Sequence, residues 1–475
     1  MALTAPQAAP RKTRKDMLAS ELGYLGMICL TVFLYVLLAL LSLAPDGTVG
    51  KISPIHEAVL RNTYLVRLLD LAGITGAPKL QLQIAFYFLL LCMLIAYAWA
   101  LLIFRRRQDK GLFPILALTI LLCVLLTVIP PLVSKDVFSN IFYSKIATRY
   151  HDNPYVITPQ RFTGDQLMAY LSLNWKNTAI VYGPLHTYFS MLLNLAAGEG
   201  ITANIFVFKG AMALFHLLNT LLVWLMLGFL APRRQRFGTM LYAWNPIALI
   251  IGVGGGHNDM MMMTLVLLAL YLLVKGKRWP GYVVLCLSVL IKYISIILVV
   301  ALVIFLLSRR ENAAEKLRDL ALYLVVFLCI AFLLFLPFWV GPRTFSSTLR
   351  NLQLNNYSSI GGLITAGLSG IFKYVLRLPS SLADTLGTVL SKLLLLPFFL
   401  AALWLAPRRA GEWRDLPECF FLVNLAYILT TSYYMPWYML WILPLISLRP
   451  WDRLSQYSLG LGTFTIFLGC DVHPY

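Results

Sequence analysis

The sequence predicts an all-α protein that threads a membrane many times. Two observations carry that class. The chain of 475 residues is 60% hydrophobic and only 12% charged, against roughly half apolar and a quarter charged in soluble domains. Its apolar residues also fall in runs near the ~20 residues needed to span a bilayer, with basic clusters between the runs. This composition excludes a soluble enzyme, a disordered tail and a disulfide-stapled secreted domain. The formal net charge of +19 does not point to nucleic acid, because the basic residues are spread over short inter-span loops rather than one basic face. Seven scattered cysteines, with no Cys-x-x-Cys, argue against a disulfide framework or a zinc site.

Positive loops stay cytoplasmic, and placing every basic cluster inside gives a consistent path. The clusters are Arg11/Lys12/Arg14/Lys15, Arg105–Arg107 with Lys110, Arg233/Arg234/Arg236, Lys275/Lys277/Arg278, Arg309/Arg310/Lys316/Arg318, Arg408/Arg409/Arg414 and Arg449/Arg453. Residues 23–44 go out, 82–104 return and 112–133 go out. A polar segment from Ser134 to Gly183 follows outside, and 184–198 is read as an external helix lying in the interface. Residues 203–230 return, 237–252 go out and 260–275 return. The run 280–307 has basic clusters on both sides, which a pair of short helices turning near Lys292 resolves. Residues 318–340 go out to a second external segment, about 341–380. Then 381–405, 416–432, 437–448 and 455–470 alternate. The expectation is about thirteen membrane segments in a cell-membrane protein, with the N-terminus cytoplasmic and the C-terminus external. Three regions follow: a basic tail and hairpin (1–111), a core with external loop 134–202 (112–340), and an external segment with C-terminal helices (341–475).

Asp136 sits where the third run leaves the lipid. After it, Val137, Phe138, Ile141, Phe142 and Ile146 recur at helical spacing, with Asp136, Asn140 and Ser144 opposite. The pattern predicts an amphipathic helix on the outer leaflet, stopped by His151-Asp152-Asn153-Pro154-Tyr155. A carboxylate there can take a proton from a hydroxyl approaching from outside, as general-base catalysis requires. It can equally complement the dipole of the helix it begins.

Further motifs stand in order: Asn153-Pro154-Tyr155, Val181-Tyr182-Gly183-Pro184-Leu185, Trp244-Asn245-Pro246, Gly255-Gly256-His257-Asn258-Asp259, Ile291-Lys292-Tyr293, and Met435-Pro436-Trp437-Tyr438 before Leu440-Trp441. From about residue 112 onward this set resembles the bacterial polyprenyl-phosphate-mannose-dependent mannosyltransferases of the glycosyltransferase-C superfamily, close to glycosyltransferase family 87. It departs from the usual pattern in Arg149-Tyr150-His151-Asp152 before Asn-Pro-Tyr, and in Met435 where a His is common. The resemblance implies a glycosyltransferase-C-like fold and an inverting transferase. The donor would be a polyprenyl-phosphate sugar, mannose by resemblance, and the acceptor a lipid-linked or cell-envelope glycan. Asp136 would be the catalytic base.

On that reading Lys292, His257 and Arg149 are candidates to hold the donor phosphate, whose charge grows as it leaves. Asn258, Asp259, Tyr182, Trp437, Tyr438, Trp441 and Tyr357 are candidates for sugar or acceptor. Each has a plainer role. Lys292 can snorkel to the surface, Asn258 and Asp259 can cap a helix, and His257 can orient its turn. Arg149 can anchor at the interface, Tyr182-Gly183-Pro184 can start a helix, and the aromatics can belong to an interfacial belt. No metal ligand set and no cofactor motif are present, and no second carboxylate pairs with Asp136 as a glycosidase needs. The competing expectation is a transporter or flippase for a lipid-linked sugar. It would need a polar path, for which the cytoplasmic half offers little beyond Lys209 and Lys392.

Overall fold

The computed structural model describes residues 14–106, 111–351, 359–449 and 452–469. Tyr357 and the basic residues Arg11, Lys12, Arg107 and Lys110 lie outside the described residues. Within them the regular elements are helices, and extended pairing is confined to the isolated bridges Gly50–Leu132 and Val340–Pro342. Five helices are long and apolar enough to cross a membrane: Glu21–Ser42, Lys79–Arg105, Ile201–Leu230, Ala313–Phe338 and Ser380–Arg409. The bent pair Pro232–Ala243 and Ile247–Gly254 makes a sixth. Other apolar helices run 10–17 residues, so helix length alone does not reproduce thirteen segments.

Two ends of the bundle differ in charge. Helix Asp259–Val274 begins at Asp259 and ends at Lys275, and helix Arg278–Val289 climbs back from Arg278 toward Lys292. At the basic end Arg278, Arg310 and Arg318 gather on Asp319. Arg309 there donates to the carbonyls of Ala410 and Gly411. Asp136, His257, Asp259 and Lys292 collect at the other end.

Two helix breaks shape that end. The first is Trp244-Asn245-Pro246, which bends its helix pair by 48°. Proline removes a donor and clashes with the preceding turn, leaving carbonyls without partners. Side chains supply the missing donors. Tyr97 Oη donates to Leu241 O at 2.6 Å, and His216 Nε2 donates to Ala243 O at 2.9 Å. Asn245 donates to Tyr97 Oη and accepts from the Ile247 N–H. The second break is Leu290–Lys292, between Arg278–Val289 and the segment starting at Tyr293, where the sequence placed a turn. It docks on Gly183, whose N–H donates to Ile291 O at 3.0 Å. A Cβ on Gly183 would stand 2.2 Å from Leu290 O. Gly183→Ala is therefore expected to lower stability by about 1–3 kcal/mol through overpacking against backbone, read as a lower midpoint in thermal unfolding of the purified protein.

Helix Asp136–Thr148 does not lie open on the outer leaflet as its periodicity predicts. Residues 136–144 and Ile146 are all buried. The loop that follows folds back as a roof, with Leu167 and Met168 in the same apolar cluster and Tyr170 stacked on Phe138 at 5.6 Å. Periodicity marked the apolar face but not the cover over the polar one. Helix Pro184–Ala197 turns His186, Thr187, Ser190 and Asn194 inward and leaves Leu192 and Leu195 exposed, the arrangement of a helix against lipid. The segment expected to be wholly external at 341–380 contains the apolar helix Ile360–Gly370, which continues to Val375 and packs on Ser380–Arg409 through Ser391 Oγ and Gly361 O at 3.1 Å. The N-terminal hairpin is woven into the core: Lys51 N–H donates to Pro131 O at 2.7 Å, beside the Gly50–Leu132 bridge.

Candidate functional site

Asp136 opens its helix beyond a short connection containing Pro130 and Pro131. Its own N–H donates to Ser134 Oγ at 3.0 Å, and the indole N–H of Trp175 donates to its Oδ1 at 3.2 Å. The other oxygen, Oδ2, faces His257 Nδ1 at 3.9 Å. His257 Nδ1 lies equally 3.9 Å from Asp259 Oδ2. These gaps exceed a hydrogen bond, so the imidazole stands between two carboxylates without bonding either directly. Burial pushes the His257 imidazole pKa below its ordinary value, opposed by the two carboxylates and aided by Lys292. Trp437 stacks on that ring at 4.5 Å.

Asp259 is fully buried. Its Oδ1 accepts from Lys292 Nζ at 2.7 Å and from the Trp441 indole at 2.5 Å. Lys292 also lies 5.7 Å from the ring centroids of both Tyr182 and Trp441, within cation–π range. Tyr438 stacks on Trp441 at 4.0 Å. Seven sequence candidates are thus brought into one cluster around His257 and Asp259: Asp136, Tyr182, His257, Asp259, Lys292, Trp437 and Trp441. Tyr438 backs it, and Asn258 lies in its central turn. The plainer reading of the aromatic motif is an interfacial belt. Trp441 is instead 2% exposed and supports a carboxylate.

Arg149 is not brought in. It stands past the far end of its helix, about 20 Å along the axis from Asp136 at 1.5 Å per residue, and pairs with Glu199. A charge at the end of an interfacial helix reads the same in sequence whether its partner is a ligand or a nearby carboxylate.

Three buried polar atoms at the cluster have no protein partner among the described residues: His257 Nε2, Asn258 Nδ2 and Asp259 Oδ2. Buried polar groups are nearly always satisfied, so unpaired atoms on three successive residues set this turn apart from the rest of the core. Sequence reasoning missed Trp175, Asn140 and His186. A single Trp in the polar stretch Asn174-Trp175-Lys176 was the available signal for the first. His186 Nε2 lies 3.3 Å from Asn140 Oδ1, and burial pulls its pKa down to about 3. Lys135 and Lys176 are the chain neighbours of the bonded Asp136–Trp175 pair, and burial together with the nearby Lys176 lowers the Lys135 pKa.

Beside the cluster runs an apolar groove of about 570 Å³, lined among others by Leu290, Tyr293, Ala331, Phe332, Phe335 and Trp339. Leu290 and Tyr293 bracket the turn that presents Lys292. Phe332 and Trp339 are 63% and 54% exposed, and only 11% of the most apolar stretch of helix Ala313–Phe338 is buried, so the groove opens on the flank that faces lipid.

A family model described as alpha-(1->6)-mannopyranosyltransferase, N-terminal domain, matches residues 48–308, more than half of the chain. The chain belongs to this family. The alpha-(1->6)-mannopyranosyltransferase match takes in Asp136, His257, Asp259 and Lys292 and ends before Trp437 and Trp441. Curated relatives with the same description include one from Corynebacterium glutamicum, 27% identical over 169 residues (34% of this chain, 32% of the relative). Two from Mycobacterium tuberculosis are 31% identical over 161 residues (32% and 26%) and 25% identical over 243 residues (49% and 46%). The aligned stretches span less than half the length of these relatives.

Proposed function

We propose that the chain is an inverting mannosyltransferase that takes mannose from a polyprenyl-phosphate donor and passes it to a lipid-linked or cell-envelope glycan outside the membrane. The observation that carries this reading is the placement of one carboxylate, Asp136, and one buried ammonium–carboxylate pair, Lys292–Asp259, around unpaired polar atoms beside a lipid-facing groove. The prenyl chain would lie in the groove, whose volume is in the usual range for ligand sites. Its phosphate would reach Lys292, with Lys135 and Lys176 adding positive potential across the site. Asp136 would accept the proton of the acceptor hydroxyl as that oxygen bonds to the anomeric carbon. The bond from that carbon to the phosphate oxygen breaks, and its electron pair leaves with the polyprenyl phosphate. Asn258 and His257 Nε2 would hold sugar hydroxyls, and Tyr182, Trp437 and Tyr438 would shape the sugar pocket. Arg149 and Tyr357 are given no role. No step calls on a metal or cofactor. The external placement rests on the basic end of the bundle staying cytoplasmic.

The test uses purified protein, polyprenyl-phosphate [14C]mannose and an α-(1→6)-linked manno-oligosaccharide. A new α-(1→6) bond supports the proposal. Headgroup movement across liposomes with no new glycosidic bond would support a flippase instead. Filling the groove with Ala331→Trp is expected to raise the KM for a long-chain donor by about tenfold, the cost of roughly 1.4 kcal/mol of lost burial, and to leave a short-chain donor unaffected.

A further inference from the structure

The sequence places Lys209 in the cytoplasmic half, as one of the few polar residues a transporter path could use; the structure places it instead against the turn that leads to Asp136. It is completely buried near the end of the first third of helix Ile201–Leu230. Among the described residues it has no carboxylate partner. A buried ammonium without a counter-ion is expensive, and a space-filling role would be met by an apolar side chain of the same length at no such cost. Its contacts indicate a different role. Nζ donates to Ile129 O at 2.6 Å and reaches Pro130 O at 3.4 Å. Ile129 caps the C-terminal end of helix Phe113–Val128, where carbonyls lack intrahelical partners and the dipole is negative. Pro130 and Pro131 bring no N–H of their own to this turn, so it depends on outside donors.

The stem of the same side chain touches the other half of the site. Gly256 has φ +70, and a Cβ there would meet Val137 Cβ at 3.3 Å and Lys209 Cγ at 3.4 Å. Val137 follows Asp136, and Gly256 precedes His257. Between them Leu132 N–H donates to Gly254 O at 3.1 Å. One side chain therefore grips the turn leading to Asp136 with its head and abuts the His257 turn with its stem.

We infer that Lys209 is a positioning residue that fixes the Asp136 loop against the His257 turn, and so sets the separation of carboxylate and imidazole. Its kinetic consequence rests on the proposed transfer reaction; its structural consequence does not. The test is Lys209→Met, read by steady-state transfer and by hydrogen exchange. Turnover is expected to fall by about 10–100-fold with both KM values within about twofold, the mark of misplacement rather than lost binding. Amide exchange in residues 129–137 and 252–258 is expected to quicken by about fivefold or more as local opening becomes easier, with distant helices unchanged. Lys209→Gln, which keeps an N–H donor, is expected to fall between Met and the native residue, and it takes the same readings if the Met variant does not accumulate. Full turnover in Lys209→Met overturns the inference. So does lost turnover with unchanged exchange and a shifted acid limb of the pH profile, which would make the ammonium an electrostatic group and not a brace. If the native protein transfers no sugar, the proposed reaction fails, and the exchange measurements alone decide on Lys209.

Discussion

Asp136→Asn is expected to lower turnover by about 10²–10⁴-fold, the range that positioned general bases contribute, while leaving the protein folded. The amide keeps the shape of the carboxylate. Its oxygen can still accept from the Trp175 indole, and the backbone bond to Ser134 is untouched. What disappears is the capacity to take a proton, together with a favourable charge in the first turn worth about 0.3–1 kcal/mol. Transfer from radiolabelled donor, measured beside thermal unfolding, separates the two losses. If the Asn variant kept more than about a tenth of native turnover, proton transfer to this carboxylate would not be limiting, and Asp136 would be a helix-start residue only.

The second large effect is at Lys292. Removing one member of a buried ion pair leaves the other uncompensated, at about 3–5 kcal/mol. Lys292→Met is expected to approach that cost, since Asp259 is fully buried and Lys292 is only 14% exposed. It should also weaken donor use more than Lys292→Arg does, because Arg keeps the charge that a phosphate needs. Adding Asp259→Asn to Lys292→Met separates the two roles. The double variant is expected to regain most of the lost stability, since no unpaired charge remains, yet to stay poor in transfer. Unfolding midpoints and donor KM are the measurements. Recovery of both would reduce Lys292 to a structural partner of Asp259.

Much of this site was legible in the sequence because its residues break local rules. Lys292 stands in an apolar run, Asp136 at a lipid boundary, and His257 after three glycines. Each is costly unless something compensates for it, and the structure brings all three to one place. What could not be read was partnership over distance. Nothing near Trp175 in the chain announces that its indole reaches a carboxylate 39 positions away. Arg149 and Lys292 were both candidates for a phosphate, and only tertiary packing gives the first a glutamate and the second a buried aspartate. Lys209 reads only as a polar residue in the path a transporter would need until its two carbonyl acceptors are seen. The break near Lys292 followed the sequence pattern, whereas the apolar helix Ile360–Gly370 fell inside a segment expected to be external. The outer-leaflet helix at 136–148 was misplaced because periodicity cannot show a roof built from residues 159–176.

The bond from Trp441 to Asp259 ties positions 182 residues apart. Until the late helices emerge from the ribosome, Asp259 has Lys292 as its one strong donor, inside a half-built bundle. A fragment cut after residue 308 would stop at that stage. In such a fragment the carboxylate would keep Lys292 but lack the indole donor, which co-expressed halves would restore only by docking together.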